Sequence, residues 1–209
     1  MVITAITVQK KNKQRVSVFL DQKFAFSLEL EVVLRHHLKV NQTLTQDVMT
    51  QLIKEHDFAH WYNAALKLIS IRPRAQKEIT DYFKKHEVGE QTQIQVLTKL
   101  IDRKFIDDAA FARWFVEQRQ TFRPKSARVI MWELKQKGVP TALAQQASAG
   151  SGVSEYETAI SLITKKLPRW GKLPKQQQKQ KIHSFLATRG FGWEVISQIF
   201  KELPLSQDN

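Results

Sequence analysis

Cysteine is absent from the 209-residue chain. That removes disulfides, thiolate metal sites and cysteine nucleophiles, and it suits a reducing compartment. Glycine and proline are scarce, at seven and six, so collagen-like or long structureless stretches have no compositional basis. No apolar run approaches the ~20 residues that a membrane span needs. The opening residues MVITAITVQKK lack the basic-then-apolar layout of a secretory leader. A cytoplasmic protein with no membrane partner is expected. Neither Gly-x-x-x-x-Gly-Lys nor Gly-x-Gly-x-x-Gly occurs, so ATP and dinucleotide binding have no local basis and no cofactor is expected.

Acid is also missing over a long interval. Between Glu157 and Glu194 there is none, while Lys165, Lys166, Arg169, Lys172, Lys175, Lys179, Lys181 and Arg189 fall inside it. A second basic group is Arg119, Arg123, Lys125, Arg128, Lys135 and Lys137. The chain as a whole has 33 Lys and Arg against 20 Asp and Glu, a net charge of +13. Such a field attracts polyanions and gains from the counterions they release. These residues, with Trp170, form the candidate surface for nucleic acid or for an assembly containing it. Trp170 lies in the basic, Pro- and Gly-broken segment KKLPRWGKLPK, where a ring can stack on bases. Trp114 and Trp132 sit within helical stripes, where packing in a core or between repeats is expected.

Hydrophobic residues make up 42% of the chain, enough to build a core. The first 28 residues carry short alternating runs, RVSVFL the clearest. They predict a small antiparallel β extension of two or three strands. After Leu28 the apolar spacing becomes helical, with Thr45 a natural N-cap for a helix holding Val48, Leu52 and Ile53. From there the chain reads as helices joined by short loops.

Those helices repeat. Ile71 to Val88 reads IRPRAQKEITDYFKKHEV, and 51 residues later Phe122 to Val139 reads FRPKSARVIMWELKQKGV. Ala75, Ile79, Tyr82 and Phe83 share one helix face in the first copy; Ala127, Ile130, Met131 and Leu134 do so in the second. A third copy follows 52 residues on, with Ile182, Phe185 and Leu186. Each of these middle helices is flanked by another on either side. The fold class expected is mainly α: three tandem three-helix repeats in an elongated, curved array, with the β extension in front. The expected divisions are 1–44, 45–106, 107–150 and 151–209. The small-residue stretch ASAGSGVS (Ala147 to Ser154) reads as a linker that lets the third unit move relative to the second.

Catalysis has little to rest on. Asp107 and Asp108 form a carboxylate pair, yet they stand where one caps a helix and the other complements its positive end. His56 and His60 are four apart but have no third ligand at suitable spacing. No catalytic residue and no metal site is expected.

Four stretches carry a resemblance. They are ALKLISIRPRAQKEITDYFKKHEV, FIDDAAFARWFVEQR, RPKSARVIMWELKQKGV and FLATRGFGWEVISQIF. In order and spacing they resemble the motifs of the RecX family, bacterial regulators of the RecA recombinase. Arg72, Arg74, Glu78 and Ile79 follow one family motif, with Ala75 in place of its Ser. Lys104, Phe105, Ile106, Asp107, Asp108, Phe111 and Ala112 follow a second, with Lys104 in place of its Gly. The resemblance implies tandem three-helix repeats and no catalysis. It implies binding in the groove of the RecA–single-stranded DNA filament, with suppression of its ATPase, strand exchange and growth. The partners it implies are the RecA filament and single-stranded DNA, double-stranded DNA remaining open, and the chain is expected to act as a monomer. The alternative is a stand-alone DNA- or RNA-binding protein of helix-turn-helix type.

Overall fold

The structure, a computed structural model, describes residues 1–10, 12–150 and 152–203. Three antiparallel strands, β1 (Ile3–Val8), β2 (Arg15–Leu20) and β3 (Lys23–Glu29), form one sheet in the order β1-β2-β3. The β2–β3 connection is two residues long. Asp21 and Gln22 both have positive φ, at 48° and 69°, the left-handed pair that matches the twist of a tight hairpin.

Eleven helices follow among the described residues. They are α1 (Leu30–Arg35), α2 (Gln46–Ile71), α3 (Gln76–Lys85), α4 (Glu90–Asp102), α5 (Asp108–Phe122), α6 (Ala127–Gln136), α7 (Thr141–Ala149), α8 (Glu155–Thr164), α9 (Leu167–Trp170), α10 (Lys175–Ala187) and α11 (Trp193–Glu202). The middle helices of the three repeats are α3, α6 and α10. The segments around Val48 and around residues 58–70 turn out to be one helix, α2, because no Gly or Pro breaks the chain between Gln46 and Ile71. Thr45 does cap it, its hydroxyl accepting from the Val48 amide at 3.3 Å.

The chain divides into two compact units. One holds Met1–Arg72 with Tyr82–Phe105, the other Pro73–Asp81 with Ile106–Asn209. In the first, the inner face of the sheet (Val16, Val18, Leu20, Leu28) packs on Val32, Val33, Met49 and Leu52. A sheet with one apolar face needs a partner to bury it, and this helical backing supplies one. Further along α2, the Trp61 ring meets Tyr82, Phe83 and His86 with centroids 5.7–6.2 Å apart.

The second unit shows how repeats join. Ala75 shares a core with Phe111, Ala112, Phe115, Ile130, Leu134 and Val139. A further core joins Ala159, Ile163, Ile182, Leu186, Phe191, Ile196 and Ile199. At each joint the first free amide of a middle helix is taken by a carboxylate from the unit that follows. The Gln76 N–H donates to Asp108 at 2.8 Å. The Ala127 N–H donates to Glu155 at 2.7 Å. An orphan donor at a helix start is thereby satisfied across the joint. Asp107 caps α5, accepting from the Ala109 and Ala110 amides, so the carboxylate pair divides between two helices.

Glycine marks the same joints. Gly138 and Gly190 end α6 and α10 in left-handed conformations, at φ 81° and 86°. A Cβ on Gly138 would lie 2.6 Å from Lys77 Cβ, and one on Gly190 2.2 Å from Val129 Cγ2. At the matching end of α3 stands Glu87, also left-handed at φ 54°. Conformation alone therefore does not demand glycine there; the close approach does. Lys104, in its family's glycine place, likewise adopts the left-handed conformation, at φ 59°.

Candidate nucleic-acid interface

Two half-capping boxes shape the entrance to the middle helices. Buried Ser126 accepts from the Val129 amide at 3.4 Å. In the first copy Glu78 reaches back to the Ala75 amide, also at 3.4 Å. Arg-Pro precedes each. Proline ends one helix and fixes the approach to the next, leaving the residue before Arg-Pro outside the core. Phe122 is 73% exposed as a result, and its counterpart Ile71 is 72% exposed.

The basic residues do not form one sheet of charge. Several are already engaged. Glu133 accepts from both Arg119 Nε and Lys125 Nζ at 2.5 Å. Burial alone would raise the Glu133 carboxyl, but the hydrogen bonds from Lys125 and Arg119 outweigh it and hold it below the ordinary carboxylate value. The Arg119 guanidinium also lies 4.6 Å from the Phe115 ring centroid. Lys137 pairs with Glu78 at 2.7 Å. Arg128 donates to the Gly190 carbonyl at 3.4 Å. These four brace helices and joints.

Others converge. Within the second unit, between the second and third repeats, lies an open groove of about 620 Å³. Its walls carry Arg123 and Lys125 from the Arg-Pro loop, Lys165 and Lys166 from the end of α8, and Arg189 from the end of α10. Phe122, Pro124, Leu162 and Phe185 supply apolar surface, and no acid lines it. The Arg189 guanidinium lies over Phe185, 3.7 Å from its centroid, and donates to the Phe185 carbonyl at 3.2 Å. Lys166 stands 6.0 Å from the same ring. The side chains of Arg123 and Lys165 have no hydrogen bond or ion pair among the described residues. A concave site with several cations, apolar flats and no carboxylate in its lining fits an anionic ligand that also bears rings.

Arg169, Lys172, Lys179 and Lys181 are exposed outside this groove, as is Lys135 on α6. Lys175 is half-buried at the start of α10. Trp170 folds back onto its own repeat, edge-on to Phe185 at 5.3 Å. Trp132 does the reverse of what its stripe suggests. It is 61% exposed, because Ile130, Met131 and Leu134 fill the inward arc of α6. Phe122 and Phe185, which flank the cations, are not singled out by charge reasoning; the signal for Phe122 is its place just before Arg-Pro in both copies. A second cavity, of about 380 Å³, lies between α5 and α7 with Val116, Leu143 and Ala147 on its floor. It gathers one arginine and one glutamate, Arg113 and Glu117, and so has no net charge to offer a polyanion. His56 and His60 stack on α2, with centroids 6.1 Å apart. No group of three or more His, Cys, Asp or Glu able to hold a metal occurs among the described residues. No helix there is long and apolar enough to cross a membrane.

Three successive three-helix units after a small sheet, with a cationic groove between two of them, define a helical-repeat protein. Comparison with known proteins gives the family. Models of the regulatory protein RecX N-terminal domain and of the first, second and third RecX three-helix domains match residues 1–45, 62–100, 107–147 and 154–200. The regulatory protein RecX of Bacillus licheniformis is 32% identical over 208 residues, 99% of this chain and 79% of the relative. That of Listeria welshimeri is 33% identical over 196 residues, 93% and 73%. A crystal structure of a regulatory protein RecX superposes with a TM-score of 0.68 at 26% identity, covering 96% of this chain and 99% of the other. RecX from Lactobacillus salivarius superposes at 0.62 and 28% identity, covering 72% and 98%. The chain belongs to the RecX family of regulatory proteins.

Proposed function

We propose that this protein regulates the RecA recombinase by binding the RecA–single-stranded DNA filament, and that it suppresses the filament's ATPase, strand exchange and growth. Family membership over all three repeats supports RecA as the partner. The observation that carries the DNA side of the reading is the acid-free groove walled by Arg123, Lys125, Lys165, Lys166 and Arg189. Arg169, Lys172, Lys179 and Lys181 would extend the field that draws the protein to a polyanion. A ligand shifts a filament equilibrium only by its differential affinity for the two states. Inhibition on this reading requires tighter binding to a filament conformation that is poor at turnover or extension. A stand-alone helix-turn-helix DNA binder would read base edges with one exposed recognition helix. Here the cations gather between two repeats instead, which favours the regulator.

The test is RecA ATPase activity on single-stranded DNA, titrated with this protein. A progressive fall at or below one copy per RecA protomer is expected. Unchanged hydrolysis at stoichiometric protein would sink the reading.

A further inference from the structure

The groove has a feature that phosphate binding does not require. Phe122 closes α5 beside it with its ring 73% exposed. No other aromatic ring contacts it, and no cation of the chain lies over it, among the described residues. Exposing so much apolar surface forgoes the stabilisation that burial brings. The scaffold explains the exposure, since Ile71 is equally exposed at the same place in the first repeat. It does not explain a planar ring at position 122, lining the same groove as Arg123, Lys165 and Lys166.

The cations fall into two sets. Lys125 and Arg189 are held in place, one by Glu133 and the other by the Phe185 ring and carbonyl. Arg123 and Lys165 are unpaired among the described residues, and the Lys166 ammonium stands over the Phe185 ring at 6.0 Å. Two anchored cations beside three exposed long ones suit a flexible chain of phosphates. The exposed ring suits the flat face of a base.

We propose that this groove is specific for unpaired nucleotides: a base of single-stranded DNA stacks on Phe122 while Arg123, Lys165 and Lys166 hold the adjoining phosphates. A duplex buries both faces of every base against its neighbours, so it can use the cations but not the ring. The inference deepens the reading of this groove as the DNA-facing surface, and it needs no RecA.

The experiment is fluorescence anisotropy with the full chain at several salt concentrations. The probes are a 15-nucleotide oligo-dT, an abasic strand of equal length, a DNA duplex and oligo-U. Phe122→Ala is expected to weaken oligo-dT binding about tenfold or more, the usual worth of one base–aromatic stack. Duplex and abasic binding are expected to be unchanged, and Phe122→Tyr restores oligo-dT affinity. Replacing Arg123, Lys165 and Lys166 together by glutamine should flatten the log–log salt slope by about two, at about 0.7 for each phosphate no longer neutralised. Equal losses on oligo-dT and duplex, or oligo-dT binding unchanged by Phe122→Ala, would overturn the proposal. So would an abasic strand that binds the wild-type chain as tightly as oligo-dT. Tighter binding to oligo-U than to oligo-dT would overturn the assignment to DNA. Because Phe122 is exposed, its variants should fold, and an unchanged unfolding midpoint confirms it. If these results hold while RecA hydrolysis is unaffected, the regulator reading fails and this one stands.

Discussion

Replacing Gly190 by alanine puts a methyl group 2.2 Å from Val129 Cγ2 and 2.7 Å from Ser126 Oγ. It also asks a residue with a side chain to hold φ 86°. The conformational part costs about 1–2 kcal/mol for a left-handed residue. The steric part is an overpacked joint, at about 1–3 kcal/mol. Ser126 is buried and anchored, donating its amide to the Arg189 carbonyl at 3.0 Å, so the neighbour has little room to yield. The sum is about 2–5 kcal/mol, read as a drop of roughly 10 °C at ~2–4 °C per kcal/mol for a chain of this size. Glu87→Ala is the control. It keeps a side chain at a left-handed helix end, φ 54°, and should cost under about 1 kcal/mol. Val129→Ala should rescue Gly190→Ala in part, because it removes the methyl that the new Cβ meets; a double-mutant cycle isolates that term. Circular dichroism during urea and thermal unfolding provides the assay. If Gly190→Ala costs no more than Glu87→Ala, the close approach at the joint is not what selects glycine.

Two further outcomes concern pH. The Glu133 carboxyl is held below its ordinary 4.5, so its bonds to Lys125 and Arg119 contribute fully above that pH and are lost as pH falls through the lower folded value. Glu133→Gln should cost about 1–2 kcal/mol near neutrality and remove this acid dependence from urea titrations; an unchanged acid limb would refute the ion pair's role. His56 behaves as a base whose charge is disfavoured. Burial lowers it first and the Arg15 guanidinium next, with His60 adding to them, against Asp57 and Glu29, which raise it. Arg15 Nη2 stands 3.1 Å from His56 Nε2, which must be unprotonated to accept. Stability should be full above 6.5 and fall as pH drops below it, and His56→Gln should flatten that slope between about pH 7 and 5. A wild-type midpoint that stays level over this range would contradict it.

Much of the architecture is legible because the apolar stripes recur every 51 or 52 residues. Ile79, Ile130 and Ile182 are all buried, and those spacings alone place the middle helices. Caps are legible where a short polar side chain precedes a periodic run, as at Thr45, Asp107 and Ser126. Pairing over distance is not. Nothing in the order of residues says that Glu133 will neutralise Arg119 and Lys125, or that Lys137 will reach Glu78 across 59 positions. Three of the six cations in the second basic group are thereby paired with acids. Trp132 shows a related limit. A helical stripe gives the inward arc to within about a residue, and Trp132 stands one step past Met131, enough to point it outward. Trp170 shows the converse, since a basic loop does not reveal that Phe185 lies within reach of its ring.

The two joints are chemically the same. The amide that opens a middle helix meets an acid that opens the next unit, at Asp108 and again at Glu155, and a glycine turn settles on the preceding helix at Gly138 and Gly190. The second repeat therefore presents both halves of the joint, the acid and glycine that meet the first repeat and the free amide that meets the third. A gene that duplicated or lost one such segment would encode a chain whose new joint already fits, with Glu155 and Gly190 able to serve where Asp108 and Gly138 do now. The length of the array is a trait that can change in steps of one unit, without a new interface having to evolve.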